Sequence, residues 1–488
     1  MTPGGAEGAR QVLRNAVHLL LAYVIPRLFT VVSVIVAARS LGTERFGGYG
    51  AAAACAVILS VLASLGMQPL LVREMARAPQ RAWALLAAAH RLKTATGATM
   101  LLLAWMITGL WFADEPGPRQ AAMVLCVGWV VHAFVENVAA YYQAVERMGR
   151  WTQASSVFGL VSSVAGVALL LWTDSIVAYC WGFVAGWACG LAWLIAGLPP
   201  EARRGGRRDG VPVTELLGGL APFAAAFIGL TIYCKIDVLL LARWSDAQAG
   251  LYTAAYKLVD VFQALVIVAA GAVYPRLARA GAHSQRSEGG RRSAEVLLLA
   301  ALPAGLTLHL VADPFVRLVF GAEYGGAAPV LSRLALLFPL LSLTILGSYI
   351  LGAVGRMTHV AGLYAIGLAA NVGLNLWLIP ELGAVGASVA RLASESILVV
   401  GFLEVLRREA AALPGPRTLT VALTAAAAAA SIGLMPDPSG GWLRGGVFLV
   451  VLLLIYHQGR IWTMSGFAIL LGVLLRRGAT PPVRVEAA

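Results

Sequence analysis

The chain has 488 residues, 59% of them hydrophobic and only 12% charged, where a soluble protein spends about a quarter of its residues on Asp, Glu, Lys and Arg. That shortage excludes an ordinary soluble enzyme. The net charge of +13 does not point to nucleic acid, because the basic residues lie scattered in short connectors between apolar runs instead of forming one basic face.

Apolar runs of 18 or more residues read as bilayer spans of about 30 Å. In chain order they fall near 17–38, 48–72, 84–112, 121–144, 152–173 and 175–198. After the basic connector Glu201 to Asp209 they fall near 215–242, 248–274, 295–320, 327–350, 359–380 and 383–406, then near 418–435 and 443–458. The first follows Arg10 and Arg14 like a signal peptide but is longer than the usual apolar core of one, so it is expected to be retained. Residues 461–477 are shorter and either cross the membrane or lie in its interface. The five cysteines all sit within apolar runs at no metal-ligand spacing and read as packing residues.

Fourteen crossings with a cytoplasmic N-terminus place 26 of the 37 Lys and Arg residues on cytoplasmic connectors, five on the opposite side and six within spans. Such asymmetry is the positive-inside rule, and it sets both termini in the cytoplasm. A repeat supports a two-part architecture: Ala38-Arg39 with Gly47-Gly48-Tyr49 recurs as Ala242-Arg243 with Gly250-Leu251-Tyr252, offset by 203 or 204 residues. Each copy bridges the first two helices of a six-helix block, and six is even, so the blocks are parallel repeats with a substrate site expected between them. The predicted fold is an all-α polytopic membrane protein with two parallel six-helix lobes around a central cavity and an extra C-terminal pair. Residues 1–200 form the N-lobe, 201–410 the C-lobe, and 411–488 the extra pair with its interfacial tail.

Ionisable residues inside spans cost about 2.5–3.5 kcal/mol each at a helix centre and are the functional candidates. Arg27 shares a face with Tyr23, Thr30 and Ser33 and has no acid at i±3 or i±4. It either receives a phosphate from a cavity or pairs with a carboxylate on another helix, such as Glu136; Pro26 beside it offers a point of bending. Thr253, Lys257, Asp260 and Gln263 form one stripe on span eight, where Lys257 and Asp260 either neutralise each other at i,i+3 or leave the lysine for substrate. Lys235 is a further candidate for an anionic headgroup, while Asp237, Asp260 and Glu136 are candidates for a coupling proton or sodium ion; Asp237 is equally suited to accept a packing hydrogen bond. His132, Glu136 and Gln143 form a polar stripe on span four, and Arg391 and Glu395 are spaced to satisfy each other. Asn371 and Asn375, at i,i+4, suit interhelical hydrogen bonding or, for Asn375, substrate binding. No nucleotide loop, metal cluster or nucleophile elbow is present, so neither catalysis nor a cofactor is expected.

The order of several short motifs then carries a resemblance. They are Leu41-Gly42 with Phe46-Gly47-Gly48-Tyr49; Asp237 followed by Gly250-Leu251-Tyr252-Thr253-Ala254-Ala255-Tyr256-Lys257-Leu258; Tyr274-Pro275; Phe320-Gly321-Ala322-Glu323-Tyr324; and Asn371, Asn375, Ile379-Pro380, Gly383 and Gly386-Ala387-Ser388. Over residues 12–410 the chain resembles the polysaccharide-export (Wzx-like) flippases of the multidrug/oligosaccharidyl-lipid/polysaccharide exporter superfamily. The resemblance implies alternating access and translocation of isoprenoid-pyrophosphate-linked oligosaccharides across the bacterial cytoplasmic (inner) membrane, in company with a polysaccharide polymerase and glycosyltransferases. The competing reading is a cation-coupled multidrug exporter of the same superfamily, whose cavity would be dominated by acids. A membrane-embedded glycosyltransferase would need a large outer loop, and the longest outer connector here has about ten residues.

Overall fold

A computed structural model describes residues 3–199, 221–279, 283–409, 415–433 and 441–458. Every regular element among them is a helix. The stretch Pro3–Ser64 is broken at Gly42 (φ 71°, ψ 176°) into α1 (3–41) and α2 (43–64). Ser33 Oγ and the Tyr49 ring both touch Tyr179, at 3.0 Å and 5.4 Å between ring centroids. In one straight helix those two residues would stand roughly 24 Å apart, so the chain doubles back at Gly42, where a left-handed φ favours glycine.

The remaining membrane-scale helices are α3 (Ala82–Trp111), α4 (Pro116–Ala144), α5 (Met148–Thr173), α6 (Ile176–Ala196), α7 (Ala221–Ala242), α8 (Asp246–Arg279) and α9 (His283–Leu310). Then come α10 (Leu337–Ala353), α11 (357–382), α12 (384–409), α13 (Pro416–Gly433) and α14 (Trp442–Gln458), with α11 and α12 divided at Gly383 within Met357–Glu409. Asn371 donates to Ser394 Oγ at 3.3 Å and Tyr364 packs on Phe402, contacts that only a hairpin about Gly383 allows. Fourteen segments thus stand where hydropathy predicts fourteen spans. By length and composition eight continuous stretches could cross a bilayer, or nine with one bent pair. The first of these, Val24–Arg77, itself holds the Gly42 reversal. Residues 461–477, the connector 201–209 and the lobe boundaries at 200/201 and 410/411 lie outside the described residues.

Two details depart from the hydropathy reading. Span nine is not one helix to residue 320: it stops at Leu310 and restarts as Ala312–Phe320, with Pro314 in the new first turn, where its missing N–H costs least. Span ten is likewise split: the stretch Ala322–Ala335, α-helical from Ala328, meets α10 at a bend of 46°, and Pro329 and Pro339 each lie near the start of a helix. Pro26, by contrast, does not break α1, whose backbone leaves helical angles only at Gly42.

Packing follows small residues, as expected where lipid supplies no hydrophobic drive between helices. Gly182, Gly186 and Gly190 form one stripe on α6, and a Cβ at the first two would collide with Gly166, Ser162 and Phe158 of α5. The pair α13–α14 packs on α9 through Ala425, Ile432, Phe448 and Leu452 against Leu302 and Leu306. Large apolar side chains such as Leu110, Trp172 and Leu423 point outward, as a hydrocarbon solvent permits.

The duplicated motif lies at the contact between the halves. A Cβ on Gly47 would meet the Asp246 carbonyl and stand 2.8 Å from Gly250 N; a Cβ on Gly250 would meet the Thr43 carbonyl and stand 3.1 Å from Gly47 N. Residues 43, 47 and 50 of α2 map onto 246, 250 and 253 of α8 under the 203-residue offset, and Gly50 faces Thr253 directly. Reciprocal contact of this kind is the mark of a two-fold relation, here a pseudo-two-fold between repeats of one chain. Around this seam the odd-to-even turns gather at one end of the bundle. Arg45 pairs with Asp174 at 2.9 Å, and Arg39 donates to the Leu318 and Val319 carbonyls at 2.6 and 3.0 Å. Arg243, the repeat partner of Arg39, lies over Trp111, and Gln248 accepts from Ala384 N.

Candidate functional site

Between the lobes, next to the glycine seam, lies a cleft lined by Tyr49, Gly50 and Ala53 of α2, Lys235 of α7, and Thr253, Tyr256, Lys257 and Asp260 of α8. The spacing on α8 puts Thr253, Lys257 and Asp260 on one stripe, and the structure turns that stripe toward α2. Lys235 Nζ reaches Asp260 at 3.0 Å and lies 5.0 Å from the centre of the Tyr256 ring. Lys257 Nζ stands 3.8 Å from the same carboxylate. Asp260 therefore serves two lysines, and the nearer is not the one on its own helix.

Arg27 joins them from α1. It is half-buried, forms no ion pair among the described residues, and lies within electrostatic reach of both Lys257 and Asp260. Two lysines meet one carboxylate in the cleft, and with Arg27 in electrostatic reach the group carries a formal excess of two positive charges. All four groups are partly exposed, as a cluster that faces an aqueous path would be. The cleft has a volume of about 60 Å³, room for a few waters, against roughly 300–1,000 Å³ in ordinary small-molecule pockets. A ligand of ordinary size does not fit the cleft as it stands. A larger groove of about 520 Å³ on the N-lobe flank, lined by Trp105, Met123, Val124 and Val177 with Arg119 and Gln120, lies apart from this cluster.

The other candidates sit elsewhere. Glu136 does not meet Arg27: its Oε2 accepts from Lys93 Nζ at 2.7 Å and from Ser64 Oγ at 2.8 Å, with His132 4.0 Å from Oε1. Lys93 is fully buried on α3, nine residues inside the span predicted from 84, although the cytoplasmic total of 26 includes it. That position inside the span was the signal that it belonged with the buried charges. Asp237 points away from Lys235, as i,i+2 spacing requires, into the C-lobe. There it is fully buried, accepting from Tyr252 Oη at 2.8 Å and Asn375 Nδ2 at 2.7 Å. Asn375 is therefore not brought to the cleft; its amide holds Asp237, and its Oδ1 has no partner among the described residues. Arg391 pairs with Glu395 at 3.3 Å and donates to the Tyr233 carbonyl at 2.7 Å. The Ser33, Tyr49 and Tyr179 hydroxyl group was not legible in the sequence, because it unites three helices through residues of no distinctive spacing. No group of His, Cys, Asp and Glu among the described residues could hold a metal ion.

Residues 12–280 match the family model described as polysaccharide biosynthesis protein. No curated protein matches the chain. Among solved structures it is similar to the lipid II flippase MurJ in an inward closed conformation, with TM-score 0.72 and 12% identity over 93% of this chain and 99% of that one. It is also similar to an inward-facing multidrug resistance MATE family transporter of the MOP superfamily, with TM-score 0.64 and 14% identity over 80% and 98% of the two chains. A MOP superfamily transporter from Pyrococcus furiosus follows, with TM-score 0.55 and 14% identity over 82% and 95%. The chain belongs to the polysaccharide biosynthesis protein family, and its fold is that of a multi-pass membrane transporter.

Proposed function

Starting from that membership, we propose that the protein is a flippase that carries isoprenoid-pyrophosphate-linked oligosaccharide across the bacterial cytoplasmic membrane by alternating access. One observation carries the reading: Lys235 and Lys257 line a cleft between the lobes around Asp260, and Arg27 lies within electrostatic reach of Lys257 and Asp260. A pyrophosphate diester brings about two negative charges, and guanidinium and ammonium groups bind such oxygens by charge-assisted hydrogen bonds. Both termini lie in the cytoplasm on the charge pattern, so the glycine seam and its surrounding turns face outward, and the described conformation is closed on that side. The inward-negative potential then favours export of the headgroup by about 2.3 kcal/mol per charge per 100 mV. The product would feed a polysaccharide polymerase, and glycosyltransferases would supply the substrate.

A second reading, the cation-coupled multidrug exporter, rests on Asp237, a fully buried carboxylate without an ion pair among the described residues. A proton or sodium ion there, or at Glu136 or Asp260, fits coupling in either reading. Reconstituting the protein with an isoprenoid-pyrophosphate sugar and comparing wild type with Arg27→Ala tests the first. Translocation by wild type and its loss in the variant are expected; unchanged translocation in the variant refutes the role of Arg27.

A further inference from the structure

Thr253 departs from the usual hydrogen bonding of a helical threonine. It lines the cleft one turn before Lys257, is 6% exposed, and its hydroxyl has no hydrogen-bond partner among the described residues. A threonine within a helix usually donates back to the carbonyl four residues earlier, as Thr108, Thr152 and Thr231 do here; Thr253 does not. A buried hydroxyl left unpaired is costly to keep. Its cover is Gly50 of the opposite lobe, set so close that any side chain at position 50 would collide with Thr253 Oγ1. What hides the hydroxyl is thus bare backbone of α2. The cleft admits no headgroup until α2 and α8 separate, and that same separation uncovers Thr253 beside Lys257.

We propose that Thr253 is a substrate-contacting residue whose hydroxyl donates to a diphosphate oxygen once the lobes part, and which Gly50 masks while they are closed. The inference rests on the flippase reading above and adds a neutral donor to its cations.

Binding of geranylgeranyl diphosphate to the full chain in detergent, with geranylgeraniol as the neutral control, tests it on wild type, Thr253→Val, Thr253→Ser and Thr307→Val. Thr307 on α9 is the internal contrast: its buried hydroxyl is also unpartnered among the described residues, but it lies beside Gly445 of α14 and does not line the cleft. Thr253→Val, nearly equal in volume, is expected to bind the diphosphate about tenfold more weakly, as loss of one hydrogen bond to a charged group implies. Thr253→Ser and Thr307→Val should bind like wild type. Thr253→Val should also melt no lower than wild type, since it removes an unpaired hydroxyl.

Wild-type affinity in Thr253→Val, equal weakening in Thr253→Ser or Thr307→Val, or a fall in melting temperature that accompanies the lost affinity would each overturn the proposal. The two levels separate cleanly. If wild type does not prefer the diphosphate to the alcohol, the flippase reading fails and takes this inference with it. If the preference is present and Thr253→Val keeps it, only the role of Thr253 fails.

Discussion

Alanine at Gly47 tests the seam between the repeats most sharply. The added Cβ would stand 2.6 Å from the Asp246 carbonyl carbon and closer still to its oxygen, and both are main-chain atoms that cannot rotate away. The seam must open instead. Overpacking of a tight contact costs about 1–3 kcal/mol, so the closed state should lose roughly 5- to 150-fold in population relative to a state with α2 and α8 apart. Gly250→Ala meets the Thr43 carbonyl in the reciprocal position and should do the same. Once the first alanine has parted the helices the second has nothing left to strike, so the double variant should shift little further than either single. Spin-label distances between the α1–α2 and α7–α8 turns in detergent would read the populations, and a double-mutant cycle would read the coupling. Additive effects, or a Gly47→Ala protein with an unchanged distance distribution, would refute the claim that the two repeats close against each other here.

Other expectations follow from the buried charges. Lys93→Met should destabilise the N-lobe by about 3–5 kcal/mol, because it strands the Glu136 carboxylate, whereas Lys93→Met combined with Glu136→Met should recover most of the loss in thermal melts. Asp260→Asn removes the one carboxylate shared by Lys235 and Lys257 and should tighten diphosphate binding, with a steeper dependence on salt concentration; weaker binding would show that Asp260 positions the lysines. Gly383→Ala places a side chain at φ 54° beside Gln248, and should lower the melting temperature by an amount equivalent to about 1–3 kcal/mol of strain.

Much of this architecture was legible because the bilayer imposes it. A span must be apolar for about twenty residues and its connectors must be polar, so counting runs located all fourteen segments, and Gly42 and Gly383 stand where two predicted spans adjoin. Splits at Val311 and Leu336 were not legible, since the short pieces remain apolar and only Pro314 and Pro329 hint at them. Pairing between distant helices was the harder part. Helical spacing correctly separated Lys235 from Asp237 and set Lys257 and Asp260 on one face, because those relations are local. It could not decide that Glu136 meets Lys93 instead of Arg27, or that Lys235 takes the nearer place at Asp260, because such choices depend on how helices cross. Asn375 illustrates the same limit: its type suited a ligand or an interhelical bond, and only packing placed it against Asp237.

The central claim is that the cleft recognises a diphosphate and moves what is attached to it. Proteoliposomes containing the wild-type chain can be loaded with two lipids bearing the same oligosaccharide, one joined through isoprenoid pyrophosphate and one through a neutral linkage, and the appearance of sugar on the far leaflet followed for each. Rapid transfer of the pyrophosphate-linked lipid with the neutral lipid near the protein-free rate is the predicted result. Equal rates for the two lipids, or no transfer of either while a cationic dye is expelled, would contradict it.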